Sequence, residues 1–270
     1  MSSILSSQKY YINSADRIKG TNQSFEIGIN IPIDSGFDSV AVIDASIPLS
    51  YYVIRQPYNV FTLVEGSSSV NITIVPGNYN VNNFLTAMTT LLNTNSPTGY
   101  TYSMTFSIVT AKYTYSVSGN GSVQPQFIFS DFLVSQMGFS NHSTNSFVGN
   151  QLTSSDVISF VATQALYITC DLITDETNIL QSIFTNNSVP YSYITYSCQN
   201  VEHYMKKLST TKHSSMVIRL IDAQGQEIDL NGIDWQLTIL LFKKNNITHM
   251  FKSLLDFISV KEKLSNPIDG

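Results

Sequence analysis

The sequence predicts an all-β protein, a sandwich or barrel of strands interrupted by one α+β segment. Three observations predict it. Apolar and polar residues alternate at period two through several stretches, most plainly Tyr100-Thr-Tyr-Ser-Met-Thr-Phe-Ser-Ile108, the pattern of a strand with one buried face. These stretches are rich in aromatic and β-branched residues, which suit a pleated, half-buried surface. Clusters of Ser, Thr, Asn and Gly separate them, the residues that make turns.

Residues 1–22 read as an N-terminal arm. Tyr10, Tyr11 and Ile12 are its only large apolar cluster, and polar residues follow through Thr21. Termini are poorly ordered unless tied down, so these three side chains are candidate contacts with a neighbour. A β-domain is predicted over 23–64 and 161–245. Phe25, Ile27, Ile29 and Ile31 alternate with polar or small residues, and Ser39–Leu49 is a longer apolar strand broken at Pro48. Asn59–Val64 and Val70–Val75 flank a turn at Glu65-Gly-Ser-Ser-Ser.

The segment 65–160 is predicted as an α+β insertion. Phe84, Leu85, Met88, Leu91 and Leu92 recur at helical spacing, with Asn80 or Asn82 placed to cap the first turn and Asn93 and Pro97 to end it. Tyr100–Ile108 and Tyr113–Val117 form a hairpin, and Gln126–Phe129 adds a short strand. Ser130 opens a short helix through Leu133, Val134 and Met137 that Gly138 closes in the left-handed conformation. Strands resume at Leu166–Leu172, Asn178–Phe184 reads as a helical turn, and Tyr191–Cys198 alternates again. Met216–Ile221, Glu227–Leu230 and Trp235–Phe242 are the last strands, with turns at Asp222–Gln226 and Asn231-Gly232.

A C-terminal tail, 246–270, is amphipathic and helical in period: Ile247, Met250, Phe251, Leu254, Leu255 and Ile258 recur at three and four. Burying those six side chains contributes roughly 9–18 kcal/mol. Ordering about a dozen residues costs roughly 1–2 kcal/mol each. The two terms nearly cancel, so the helix needs a groove, either on its own domain or on a partner, and its six apolar residues join Tyr10, Tyr11 and Ile12 as candidate interface residues.

Charge is sparse. Charged residues are 12% of the chain, against about 25% for a typical soluble domain. Residues 1–200 hold only Lys9, Arg17, Lys19, Arg55 and Lys112 as cations. A net charge of −5 and the lack of a basic cluster in the first 200 residues argue against a specific nucleic-acid site, since phosphate contacts need grouped Lys and Arg. A neutral surface suits close packing against copies of the same chain or other β-proteins. No apolar stretch reaches the roughly 20 residues of a membrane span. Met1–Lys9 does not have the basic start and apolar run of a signal peptide, so the chain is expected to be made and used without crossing a membrane.

Catalytic and metal chemistry finds little to stand on. His142, His203, His213 and His249 have no partner at metal-ligand spacing, and no nucleophile elbow or phosphate loop occurs. Gly119-Asn-Gly121 reads as a hairpin turn. Asp222, Glu227, Asp229 and Asp234 are close enough in sequence to suggest a hard-cation site, but they lie at no known loop spacing and read by default as solvated turns. Cys170 and Cys198 read as buried free thiols, Trp235 as a core residue, and six Asn-x-Ser/Thr sites as chance in a chain this rich in those residues. No cofactor, metal or catalytic residue is expected.

Taken in order, a series of short motifs is similar to the penton (minor capsid, vertex) proteins of virophages and Polinton-like viruses. They are Tyr11-Ile-Asn-Ser-Ala-Asp-Arg-Ile-Lys-Gly-Thr21 and Phe25–Asn30, then Ile47-Pro-Leu-Ser-Tyr-Tyr52, Asn59-Val-Phe61 and Gly77-Asn-Tyr79. Lys112-Tyr-Thr-Tyr115, Leu133-Val-Ser-Gln-Met-Gly-Phe139 and Ile228-Asp-Leu-Asn-Gly-Ile-Asp-Trp235 complete the series. The tail matches no motif of that family. The resemblance implies a single jelly roll with an inserted subdomain. It implies a homopentamer at each icosahedral vertex, bordered by double-jelly-roll trimers of a major capsid protein, with room for other minor capsid or vertex proteins. It places the protein in the virion, assembled in the host-cell cytoplasm or a viral factory. The rival class is a β-sandwich module for host attachment or carbohydrate binding, motivated by the tyrosine density of residues 100–115.

Overall fold

The structure, a computed structural model, describes residues 4–31, 35–119, 122–129, 133–139, 144–161, 163–175, 177–185, 192–209 and 214–244. The chain begins with β1 (Ile4–Asn13), a 3₁₀ turn (Ser14–Asp16), β2 (Lys19–Gly20), β3 (Ser24–Gly28) and β4 (Ser39–Pro48). Then come β5 (Val60–Glu65), β6 (Ser68–Thr73), α1 (Val81–Asn95), β7 (Thr101–Ser107) and β8 (Lys112–Ser118). They are followed by β9 (Gln126–Phe129), α2 (Val134–Met137), β10 (Thr144–Ser146) and β11 (Gln151–Thr153). The last part holds β12 (Ala165–Cys170), β13 (Ile179–Phe184), β14 (Tyr193–Ser197), α3 (Val201–Tyr204), β15 (Lys206–Lys207), β16 (Ser215–Ile221) and β17 (Gln236–Lys244).

Two compact units result, one from Met1–Ser50 with Gln164–Gly270 and one from Tyr51–Thr163. In the first unit one sheet has the order β1-β17-β4-β14, with β15 also on β4, and the other has the order β13-β12-β16-β3-β2. Its eight principal strands, in chain order, are β1, β3, β4, β12, β13, β14, β16 and β17. The first pairs with the eighth, the second with the seventh, the third with the sixth and the fourth with the fifth, all antiparallel. That nested pairing divided over two sheets is a jelly roll. Alternation builds its core. Phe25, Leu166, Ile168, Met216, Ile218 and Leu220 are buried from one sheet, and Val40, Val42, Ile47, Leu237, Ile239 and Leu241 from the other.

Several expectations are corrected here. Residues 4–13 are not a free arm but an edge strand, paired along its length with β17. The polar stretch Ser6–Lys9 carries no alternation because an edge strand overhanging the core has little to bury. The unit boundaries fall at Ser50/Tyr51 and Thr163/Gln164 instead of 64/65 and 160/161, because β5 pairs with β6 on one side and β9 on the other. Ile179–Phe184 is a strand on β12 and not a helical turn; its apolar residues sit at spacings compatible with either period, and sheet pairing decides. Glu227–Leu230 forms no strand, only a bridge from Glu227 to Ile221. Ser130 and the tail 246–270 lie outside the described residues.

The second unit is organised by rings. Sheets β10-β9-β5-β6 and β11-β8-β7 and helix α1 bury Phe61, Phe84, Tyr102, Tyr113, Tyr115, Phe127, Phe129, Phe139 and Phe147 in one cluster. Ring centroids lie 5.2 Å apart for Tyr115–Phe127, 5.2 Å for Phe127–Phe147 and 5.1 Å for Phe129–Phe139, the spacing of favourable aromatic pairs. Asn80 caps α1 as expected, accepting from the backbone N–H groups of Asn82 and Asn83, and Phe84, Met88 and Leu92 form its buried face. Gly138 closes α2 at φ +80°, where an added Cβ would lie 2.7 Å from that of Ser154.

These buried phenols set a pH limit. Burial raises Tyr102, Tyr113 and Tyr115 above the ordinary phenol value. Stability they contribute is fully present below the unfolded phenol's pKa of about 10 and is lost as pH rises above it, by about 1.4 kcal/mol per pH unit for each such tyrosine. We expect cooperative unfolding on the alkaline side, with part of the phenolate absorbance appearing only as the fold is lost. Titration of all tyrosines near pH 10 with the circular dichroism intact would refute this.

Candidate functional site

Outward-facing side chains of the β1-β17-β4-β14 sheet build a polar groove. Strand alternation puts Tyr11 and Asn13 on this face of β1, Gln236 and Thr238 on β17, and Thr195 and Ser197 on β14. On β4 a bulge does the same for Asp44. The β17 register slips between Thr238 and Ile239, so that Thr238 faces Asp44 while Ile239 faces Val42. The extra residue turns a carboxylate out of a mainly apolar strand. Two cross-strand rows result: Tyr11–Thr238–Asp44–Ser197 and Asn13–Gln236–Ser46–Thr195. With Asp16 beyond the end of β1, these residues line a groove of about 530 Å³. Its lining includes two carboxylates, Asp16 and Asp44, and no Lys, Arg or His. Tyr11 is 80% exposed at its side.

Part of the rest of this face is covered. Ala41, Leu240 and Phe242 form a small apolar cluster against Ile4, Ile43, Val201 and Met205. This second buried face explains why Ile239-Leu-Leu-Phe242 is apolar at every position.

Beside the groove, both ends of the unit's chain are tied together. Ser14 Oγ donates to Asp234 Oδ1 at 2.7 Å and accepts from the Trp235 backbone N–H at 3.0 Å. Arg17 Nη1 donates to the same Asp234 oxygen at 3.0 Å and to Ser14 O at 2.7 Å. Asn22 Nδ2 donates to Ile233 O and receives at its own carbonyl the Trp235 Nε1–H, both at 2.7 Å. Ser50 Oγ donates to Leu230 O at 2.6 Å. Trp235 is buried, edge-on to Phe25 at 5.9 Å. Residues from three of the motifs behind the family resemblance thus meet in one hydrogen-bonded knot.

The predicted interface residues scatter. Tyr11 stands in the groove. Tyr10 faces the other way and donates its hydroxyl to Asn30 O at 2.6 Å, and Ile12 is buried in the jelly-roll core. Ile247, Met250, Phe251, Leu254, Leu255 and Ile258 lie outside the described residues. The four carboxylates weighed as a cation site are engaged locally. Asp222 accepts from the Gln224 and Gln226 N–H groups, Asp229 from Asn231 N, Glu227 pairs with Arg219 and Asp234 with Arg17. Cys170 and Cys198 are unbridged, Cys170 buried and Cys198 half-buried; burial pushes the Cys170 thiol up to about 12. Of the tyrosines that suggested a sugar platform, Tyr102, Tyr113 and Tyr115 are buried in the second unit's core, so they offer a ligand no exposed face. Among the described residues no three His, Cys, Asp or Glu side chains could together hold a metal, and no helix is long and apolar enough to cross a membrane. His142, His213 and His249 lie outside those residues.

Sequence reasoning missed Asp44, Thr195, Ser197, Gln236 and Thr238. Only strand pairing brings them together, and the one local signal was a single Asp inside Ser39–Pro48.

No family model matches the chain, and no curated protein matches it. Among solved structures it matches the crystal structure of selenomethionine-labelled mavirus penton protein, with a TM-score of 0.45 and 12% identity over 88% of this chain and 100% of that one.

Proposed function

We propose that this chain is a structural capsid protein that forms the pentameric vertex of an icosahedral double-stranded DNA virus or virophage, bordered by trimers of a double-jelly-roll major capsid protein. The nested strand pairing of the first unit carries the reading. It is a single jelly roll, and a separate compact unit is inserted between its third and fourth strands, the architecture that the motif resemblance implies. The low charge and the engagement of the weighed carboxylates in turns and ion pairs also support an assembly role rather than a catalytic one. A five-membered ring uses heterologous contacts closed by rotation, and a Ser/Thr/Asn-rich surface can form them without desolvating many charges.

Native mass spectrometry of the purified chain over a concentration series tests the ring. A pentamer is the expected species; a trimer, or a monomer that persists when the bordering major capsid protein is added, overturns the reading. The tail is assigned a contact beyond its own domain. Deleting residues 246–270 is expected to weaken incorporation into particles while leaving the β-sheet circular dichroism unchanged, and unimpaired incorporation would remove the tail from the assembly contacts.

A further inference from the structure

We propose that the Tyr11–Thr238–Asp44 row is a slot for an arginine side chain on an extended segment of a different protein. Tyr11 and Asp44 stand on strands either side of β17, so their Cα atoms are about 9–10 Å apart. Between them Thr238, buried at its base, provides a low floor. An aromatic ring stands on one side of this floor and a carboxylate on the other. The planar guanidinium can stack on a tyrosine face while donating two parallel N–H bonds to a carboxylate. Lysine, a compact point charge, makes the second contact less well. Beside the slot, Asn13, Ser46, Thr195 and Gln236 offer amides and hydroxyls to the backbone of the segment carrying the arginine.

Charge complementarity selects the occupant. Among the described residues neither Asp16 nor Asp44 has an ion-pair partner, and no cation lines the groove. Among the groove's lining residues Tyr11 is the one exposed ring, which serves a cation better than a sugar, since a sugar would stack on a broader aromatic platform. A second copy of this chain fits poorly, because its Arg17 and Arg219 are already ion-paired with Asp234 and Glu227. Lys9 and Lys244 lie on the same sheet face as the groove, so presenting them to it would stack two copies face to face about a two-fold axis. The inference does not depend on the number of subunits in the ring.

The test is an NMR titration of the full chain with an acetylated, amidated peptide Gly-Ser-Arg-Ser-Gly, alongside its lysine and citrulline counterparts. The arginine peptide is expected to shift the resonances of Tyr11, Thr238 and Asp44, the lysine peptide to bind several-fold more weakly, and the neutral citrulline peptide not to bind. Asp44→Asn and Tyr11→Ala, both at exposed positions, are each expected to weaken binding by about tenfold, as loss of a charge-assisted bond or a cation–π face does. Added salt should weaken it further. Equal binding of the citrulline peptide, unchanged affinity in Asp44→Asn, or no shift at these residues overturns the slot. A neutral oligosaccharide that binds where the arginine peptide does not makes it a sugar site. An Asp44→Asn variant that changes the oligomeric state of the chain alone makes the occupant a second copy. A ring of unexpected size with these binding results intact would count against the vertex reading alone.

Discussion

Trp235→Ala is expected to destabilise the jelly roll by about 3–5 kcal/mol, the range for truncating a buried large aromatic side chain. Trp235 is 1% exposed and does three things at once. Its ring packs edge-on against Phe25 of the opposite sheet. Its indole N–H satisfies the Asn22 carbonyl. Its backbone N–H and C=O both bond to Ser14, through Ser14 Oγ and Ser14 N. Truncation therefore opens a cavity between two sheets and frees a buried carbonyl where the first and last principal strands are joined. Trp235→Phe separates these contributions. It retains most of the ring but loses the indole donor, and should cost about 1–3 kcal/mol. Urea denaturation followed by far-ultraviolet circular dichroism measures both. A midpoint for Trp235→Ala within error of the parent would mean that the knot around Ser14 and Asp234 does not hold the sandwich.

The fold was legible in the sequence wherever a strand has one wet face. Phe25–Ile31, Tyr100–Ile108 and Tyr113–Val117 alternate because one side meets a core, and the structure has β3, β7 and β8 there. The α1 helix was legible to within two residues of its cap, Asn80 or Asn82, because a capping Asn and the Phe84–Met88–Leu92 stripe are local signals. Edge strands were not. In β1 the core side carries Gln8, Tyr10 and Ile12, of which Ile12 alone is buried, so its membership in a sheet is visible only through its pairing with β17. Ile179–Phe184 misled for a related reason: six residues hold too few apolar positions to separate a period of two from one of 3.6. The groove was the least legible part. Its residues are single polar positions on four strands distant in sequence, and the bulge that exposes Asp44 depends on how β17 pairs. Conversely, the tyrosines dense enough in sequence to suggest a binding platform are buried because their alternation is the mark of a core-facing strand. Density of a residue type says less about function than the face on which alternation places it.

In the second unit the largest single loss is expected at Glu65. This carboxylate, at the end of β5, is 1% exposed. It accepts hydrogen bonds from Ser96 Oγ at 2.9 Å, from the Thr98 backbone N–H at 2.9 Å, from the Thr98 hydroxyl, and from the Tyr102 hydroxyl at 2.7 Å. Ser96 caps the C-terminus of α1, and Tyr102 lies on β7. One side chain therefore ties the β5–β6 hairpin to the end of the helix and the start of the next strand. A buried carboxylate is costly unless its oxygens are fully used, and here they are. Removing it reverses the balance, because the donors remain buried and lose their acceptor. Glu65→Ala should cost about 3–5 kcal/mol. Glu65→Gln, which keeps one acceptor oxygen but turns an amide N–H₂ toward donors, should cost about 1–3 kcal/mol. Tyr102→Phe tests the same network from the other side, and a double-mutant cycle with Glu65→Gln should return a coupling of about 1 kcal/mol or more. Hydrogen exchange gives a local readout: amides in the last turn of α1 and at Thr98 should lose protection in Glu65→Ala before those of the jelly roll. If Glu65→Ala unfolds at the parent's urea midpoint with α1 still protected, the helix is held by its Phe84–Met88–Leu92 face alone and the buried carboxylate is dispensable.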